Sequence, residues 1–93
     1  MRQSIKQFKN IYFSKFSRVI CPKKPLTEIW GFHRILIENY CKIIDYQENL
    51  IEIAVSVGSI VISGQQMQIL QITSEKLIIT GSIENVSMIR KKG

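Results

Sequence analysis

Apolar and polar residues alternate through most of the chain beyond residue 25, which is the pattern of strands with one face toward a core. The clearest run is 50–57, where Ile51, Ile53, Val55 and Val57 share one face and Glu52 and Ser56 share the other. Further strands are predicted around Ile35 and Ile37, over 42–46, 60–63, 67–73, 76–80 and 83–89. In these, Ile60, Ile62, Leu77 and Ile79 should point inward. Turns are predicted at Trp30-Gly31-Phe32, at Asn39-Tyr40, where asparagine tolerates left-handed backbone, and at Gln47-Glu48-Asn49. Gly58-Ser59, Gly64-Gln65-Gln66, Ser74-Glu75 and Gly81-Ser82 are read as turns as well.

The pattern also repeats. Ile60, Val61, Ile62, Ser63, Gly64, Ile69 and Ile72 align, at one constant offset, with Leu77, Ile78, Ile79, Thr80, Gly81, Val86 and Ile89. Each copy reads as an apolar run, a glycine and a second apolar run, as in a repeated β-hairpin. Within each copy the last inward step, Ile69 to Ile72 and Val86 to Ile89, is three positions instead of two, which predicts a bulge or bend. About seven short strands joined by short turns predict an all-β antiparallel meander folded into a small β-sandwich or open barrel. The connections are too short for parallel crossovers. A stacked solenoid is the alternative, against which only two clear copies and a blurred third over 43–55 are present.

Positions 1–24 follow a different rule. Ile5, Phe8, Tyr12, Phe16 and Val19 recur at three- and four-position steps, which predicts an amphipathic helix over 4–18. Pro22 and Pro25 stop it, leaving 21–26 as a short linker. The chain therefore divides into an arm, 1–24, and a β-domain, 25–93.

Charge sharpens this division. The net charge of +6 on 93 residues is segregated. The arm holds Arg2, Lys6, Lys9, Lys15, Arg18, Lys23 and Lys24 and no acid, whereas 25–89 holds all seven acids against Arg34, Lys42 and Lys76. Arg90, Lys91 and Lys92 add a basic tip. The arm has three readings. Its aromatic stripe could pack on the β-domain. It could lie on an anionic membrane, each lysine contributing ~1 kcal/mol near the surface. It could dock on a protein partner or on nucleic acid. The residues expected to make a membrane or partner contact are Lys6, Lys9, Lys15, Arg18, Lys23 and Lys24, with Phe8, Tyr12 and Phe16 as apolar anchors. For nucleic acid nothing beyond charge is present, and no RNA-binding aromatic signature or zinc knuckle appears.

Motifs for chemistry are absent. His33 is the single histidine, and one histidine without companions is ordinarily a surface or hydrogen-bonded residue. Cys21 and Cys41 lack metal-ligand spacing and are too few for a disulfide framework, so both are expected as thiols in a reducing compartment, with a bridge between them as the less favoured alternative. Glu38, Asp45, Glu48 and Glu52 would serve acid–base chemistry only if a pocket gathered them. On alternating strands they belong on a solvated face. No enzyme activity, cofactor, metal site or catalytic residue is expected. No secretory apolar region precedes the cysteines, and no apolar run approaches the ~20 residues that span a bilayer.

The segment 26–89 resembles the YabP/YqfC family of sporulation proteins, and looks closer to its YqfC branch. The matching pieces are Ile37-Glu38-Asn39, Ile43-Ile44-Asp45-Tyr46, the run from Gly58 to Gly64, Met67 to Ile72, and Glu75 to Gly81 followed by Ile83. The chain departs from the family at Cys41 and Lys42, where a basic residue and a glycine are common, and in its aromatic basic arm. The resemblance implies a non-enzymatic role in endospore formation, in development of the spore envelope. It also implies a membrane-protein partner of the YqfD type; with the basic arm and the expected thiols, a cytoplasmic position, peripheral at a membrane of the sporulating cell, is expected. Exposed edge strands further allow homo-oligomers. A nucleic-acid-binding module using the basic arm is the alternative function.

Overall fold

The computed structural model describes residues 23–91. The predicted arm helix over 4–18 lies outside them. Six strands follow one another: β1 (Leu26–Trp30), β2 (Arg34–Glu38), β3 (Lys42–Tyr46), β4 (Leu50–Val55), β5 (Gly58–Ile72) and β6 (Lys76–Arg90). They form one antiparallel sheet in the order β1-β2-β6-β5-β4-β3.

The all-β antiparallel expectation holds. The count of seven strands in a meander does not, because 60–63 and 67–73 belong to one strand, as do 76–80 and 83–89. The order is not a simple meander either, since β6 inserts between β2 and β5. Gly64 and Gly81 are not the reversals that the sequence suggests. A Cβ on Gly64 would lie 2.1 Å from the Ser82 carbonyl oxygen, and one on Gly81 would lie 2.6 Å from the Met67 Cα. Two backbones meet at both positions, and Gly81 has in addition a φ of +142° that favours glycine, uses of glycine that look like a turn signal in sequence.

The sequence repeat has a structural meaning. Its two copies are β5 and β6 themselves, each copy one long strand and not a hairpin, and they pair with each other. On one side β4 pairs the first half of β5. On the other, β2 pairs the first half of β6. The flanking hairpins also correspond: β1 and β3 begin at 26 and 42, β2 and β4 at 34 and 50, the same offset in each case. An approximate two-fold axis between β5 and β6 therefore exchanges the two flanks of the sheet. The loops obey it. The His33 and Phe32 carbonyls accept the amides of Gly81 (3.2 Å) and Ile83 (2.8 Å), while the Asn49 and Glu48 carbonyls accept those of Gly64 (3.2 Å) and Met67 (2.9 Å). Each loop thus satisfies amides at a point where the bend interrupts the ladder.

Register shifts between Ser63 and Gly64, Gln65 and Gln68, and Ile69 and Gln71 bend the central pair. The expected irregularity between Ile69 and Ile72 is the last of these, with Leu70 as the extra residue. Its repeat-mate is not irregular, because Val86 to Ile89 pairs Ile62 to Ser59 without a shift. In place of two separate sheets, the inward residues of both flanks meet in one core. Ile35, Ile37, Leu77 and Ile79 join Ile43, Ile51, Ile53, Ile60 and Ile62, and Met67 and Ile83 fill the bend. The Tyr46 hydroxyl accepts the Ile69 amide at 2.9 Å, tying β3 to the far half of β5. No charged side chain among the described residues is buried.

The inward face predicted for 50–57 is confirmed at Ile51, Ile53 and Val55 and fails at Val57, which is 46% exposed. The β4–β5 turn is Ser56-Val57, ahead of the predicted Gly58-Ser59, and Gly58 already pairs Val55. A Cβ on Gly58 would meet the Ile89 carbonyl oxygen at 1.9 Å, so this glycine too marks a close approach.

Candidate functional site

Of the residues expected to make a membrane or partner contact, Lys6, Phe8, Lys9, Tyr12, Lys15, Phe16 and Arg18 lie outside the described residues. Lys23 and Lys24 are described and exposed. They stand at the root of the arm, and Asn39 fixes that root. Asn39 has a positive φ, in the left-handed region that asparagine accepts at small cost. Its side-chain amide donates to the Lys24 carbonyl at 3.1 Å, and its backbone amide donates to the Glu75 carbonyl at 2.7 Å. One residue thus holds the arm root, the end of β2 and the β5–β6 turn together. Tyr40, buried, adds a hydrogen bond from its hydroxyl to the Thr73 carbonyl. The Thr73 hydroxyl accepts the amides of Glu75 and Lys76 and closes the same turn.

Beside this corner lies a polar hollow of about 320 Å³ lined by Glu38, Asn39, Gln71, Thr73, Glu75 and Lys76. Glu38 and Lys76 approach to 4.0 Å with both side chains well exposed, so the pair contributes little. A larger hollow of about 600 Å³ lies on the outer face of the β3–β4 flank, where Ile44, Ala54 and Ile89 meet Glu52, Arg90 and Lys91.

The groups that acid–base chemistry would need are apart. His33 is in the β1–β2 loop and Glu38 is at the opposite end of β2. Asp45 is on β3 at the other edge of the sheet, where its carboxylate accepts the Gln47 side-chain amide at 3.0 Å. Among the described residues no three of His, Cys, Asp and Glu are grouped to hold a metal.

Cys41 corrects one expectation. It is disulfide-bonded and not a thiol, and no described cysteine is free. The one other cysteine, Cys21, lies outside the described residues. Spacing in sequence could not have shown this, because bridge formation depends on Cα separation and Cβ direction.

The surface that sequence reasoning missed is β1. Leu26, Ile29 and Trp30 are exposed on it, and Phe32 follows in the loop. The signal was available, since Leu26-Thr27-Glu28-Ile29-Trp30-Gly31-Phe32 places apolar residues on both faces of a strand.

The Ile37-Glu38-Asn39 element therefore supplies the corner that holds the Lys24 carbonyl, and the spaced glycines supply the crossing of the two long strands. A family model described as the YabP family matches residues 24–93. The chain belongs to the YabP family. No curated protein and no solved structure matches it. The YabP match takes in all six strands and begins at Lys24, the residue whose carbonyl Asn39 holds. Among the described residues no helix is long and apolar enough to cross a membrane.

Proposed function

We propose that this protein acts in endospore formation, in development of the spore envelope, as a non-enzymatic binding module of the YqfC branch. The observation that carries this reading is the YabP family match across the whole sheet. The β-domain, which carries all seven acids of the chain and an apolar core, binds a membrane-protein partner of the YqfD type. The basic arm holds the domain at an anionic membrane of the sporulating cell. Two features favour that division of labour. The seven cations of 1–24 face no acid within the arm. The arm's root is pinned by Asn39 at a corner of the sheet, so the arm departs from a defined point.

Co-sedimentation of the full chain with anionic vesicles tests the membrane part. Binding is expected at low salt, with loss on deletion of 1–24 and weakening as salt screens the lysines. Equal binding with and without 1–24 would refute it. Binding to DNA and RNA that falls steeply with salt, with none to vesicles, would favour a nucleic-acid module in its place.

A further inference from the structure

Among the described residues the sheet has four open edges: β1, β3, and the halves of β5 and β6 that lie beyond the pairing of β2 and β4. Natural sheets blunt open edges with bulges and charges. β3 carries a bulge at Ile44, between Lys42 and Asp45. The free half of β5 is interrupted twice, before Gln68 and at Leu70. That of β6 starts at a shift around Glu84 and ends at Arg90 and Lys91. β1 alone keeps all five of its pairs to β2 in register, and its exposed side chains are Leu26, Glu28, Ile29 and Trp30. It is also the two-fold counterpart of β3, so the bulge present there is missing here.

A second observation lies behind β1. The Arg34 guanidinium sits 5.7 Å from the centre of the Trp30 ring, and its Nε is buried without a hydrogen-bond partner. Such an orphaned donor is uncommon and costly in a folded protein.

We propose that β1 is a self-association edge, on which a second copy of this chain pairs its own β1 antiparallel about a two-fold axis at Ile29. Such an interface is isologous, so the strand must complement itself. Opposite residues in an antiparallel pair share a face. An axis at Glu28 would set carboxylate against carboxylate. An axis at Thr27 would run the ladder into Pro25, which has no N–H to donate. An axis at Ile29 sets Ile29 against its copy, Leu26 toward the second copy's Phe32, and Glu28 against the second copy's Trp30 with Arg34 behind it. The half-covered Ile29 side chain then extends the core across the axis. The Glu28 carboxylate comes to the guanidinium whose Nε lacks a partner, and Trp and Arg are the residues that most often anchor such contacts.

Sedimentation equilibrium of the full chain, from about 1 µM to about 500 µM, measures the association, a range that covers standard and weak interfaces. The wild type is expected to form dimers. Glu28→Arg and Arg34→Glu should each weaken the dimer about tenfold or more, and the two together should restore it to within about threefold. Unchanged far-UV circular dichroism shows that each variant folds, and Met88→Lys, on the β6 edge, should leave the dimer intact. A wild type that stays monomeric overturns the proposal. So does a dimer that ignores Glu28→Arg, or one that Met88→Lys disrupts, or folded single variants that the double change fails to rescue.

Discussion

Replacing Gly64 by alanine tests why glycine stands at the same place in both copies of the repeat. If Gly64 were a turn residue in left-handed backbone, alanine would cost about 1 kcal/mol. The structure sets a different demand. The new Cβ would stand 2.1 Å from the Ser82 carbonyl oxygen, far inside the 3.0 Å that real Cβ contacts respect, and the obstacle is backbone. Relief requires β5 and β6 to separate at the bend, where Gly64 also donates to the Asn49 carbonyl. Forcing a methyl into a packed site costs about 1–3 kcal/mol, and a weakened backbone hydrogen bond about 1 kcal/mol more. Stiffening of the unfolded chain returns about 0.4–1 kcal/mol. The net is a loss of about 2 kcal/mol, which for a domain of this size lowers Tm by about 8–16 °C. Gly31→Ala is the comparison. Gly31 has φ +59°, and its Cβ would meet only the His33 side chain, at 3.2 Å. That change should cost about 1 kcal/mol, from left-handed strain alone. Urea unfolding followed by far-UV circular dichroism reads both variants. A Gly64→Ala protein no less stable than Gly31→Ala would refute the close-approach explanation.

Three further outcomes follow from the same geometry. Tyr46→Phe strips the Ile69 amide of its acceptor across the fold. Stability should fall by about 1–3 kcal/mol and hydrogen exchange at Ile69 should quicken; unchanged exchange would count against the bridge. Asn39→Ala removes the bond to Lys24 and leaves alanine at a positive φ, whereas Asn39→Gly removes the bond alone. The alanine variant should be the less stable by about 1 kcal/mol in the same urea titration, and equal stabilities would argue against left-handed strain. Val57→Thr should change stability by under about 0.5 kcal/mol, while Ile53→Ala should cost about 2–5 kcal/mol; similar losses would return Val57 to the core.

Much of the fold was legible because burial and alternation are the same fact in a half-buried strand. Ile35, Ile37, Ile51, Ile53, Ile60, Ile62, Leu77 and Ile79 all lie where the pattern set them. Asn39 was legible for a local reason, its tolerance of left-handed backbone. Gly64 and Gly81 were not, because glycine serves reversal and close approach alike, and only the neighbouring strand tells which applies. That ambiguity splits two long strands into four and turns a two-fold relation into a repeated hairpin. Val57 fails because alternation continues by chance past the strand end. β1 was missed because an edge strand exposes apolar residues on both faces and so breaks the alternation by which strands are found. Of the candidate site, the charge split sets positions 1–24 apart in sequence, but the bond from Asn39 to Lys24 joins positions far apart in the chain and has no local signature.

The most direct measurement follows a fluorescent fusion of the full chain, and one lacking residues 1–24, in an endospore-forming host from growth through starvation. Signal should appear only as spores form, gather at a membrane, and disperse when the arm is removed. Steady expression in growing cells, diffuse or on the nucleoid and indifferent to the arm, would contradict a role in the spore envelope.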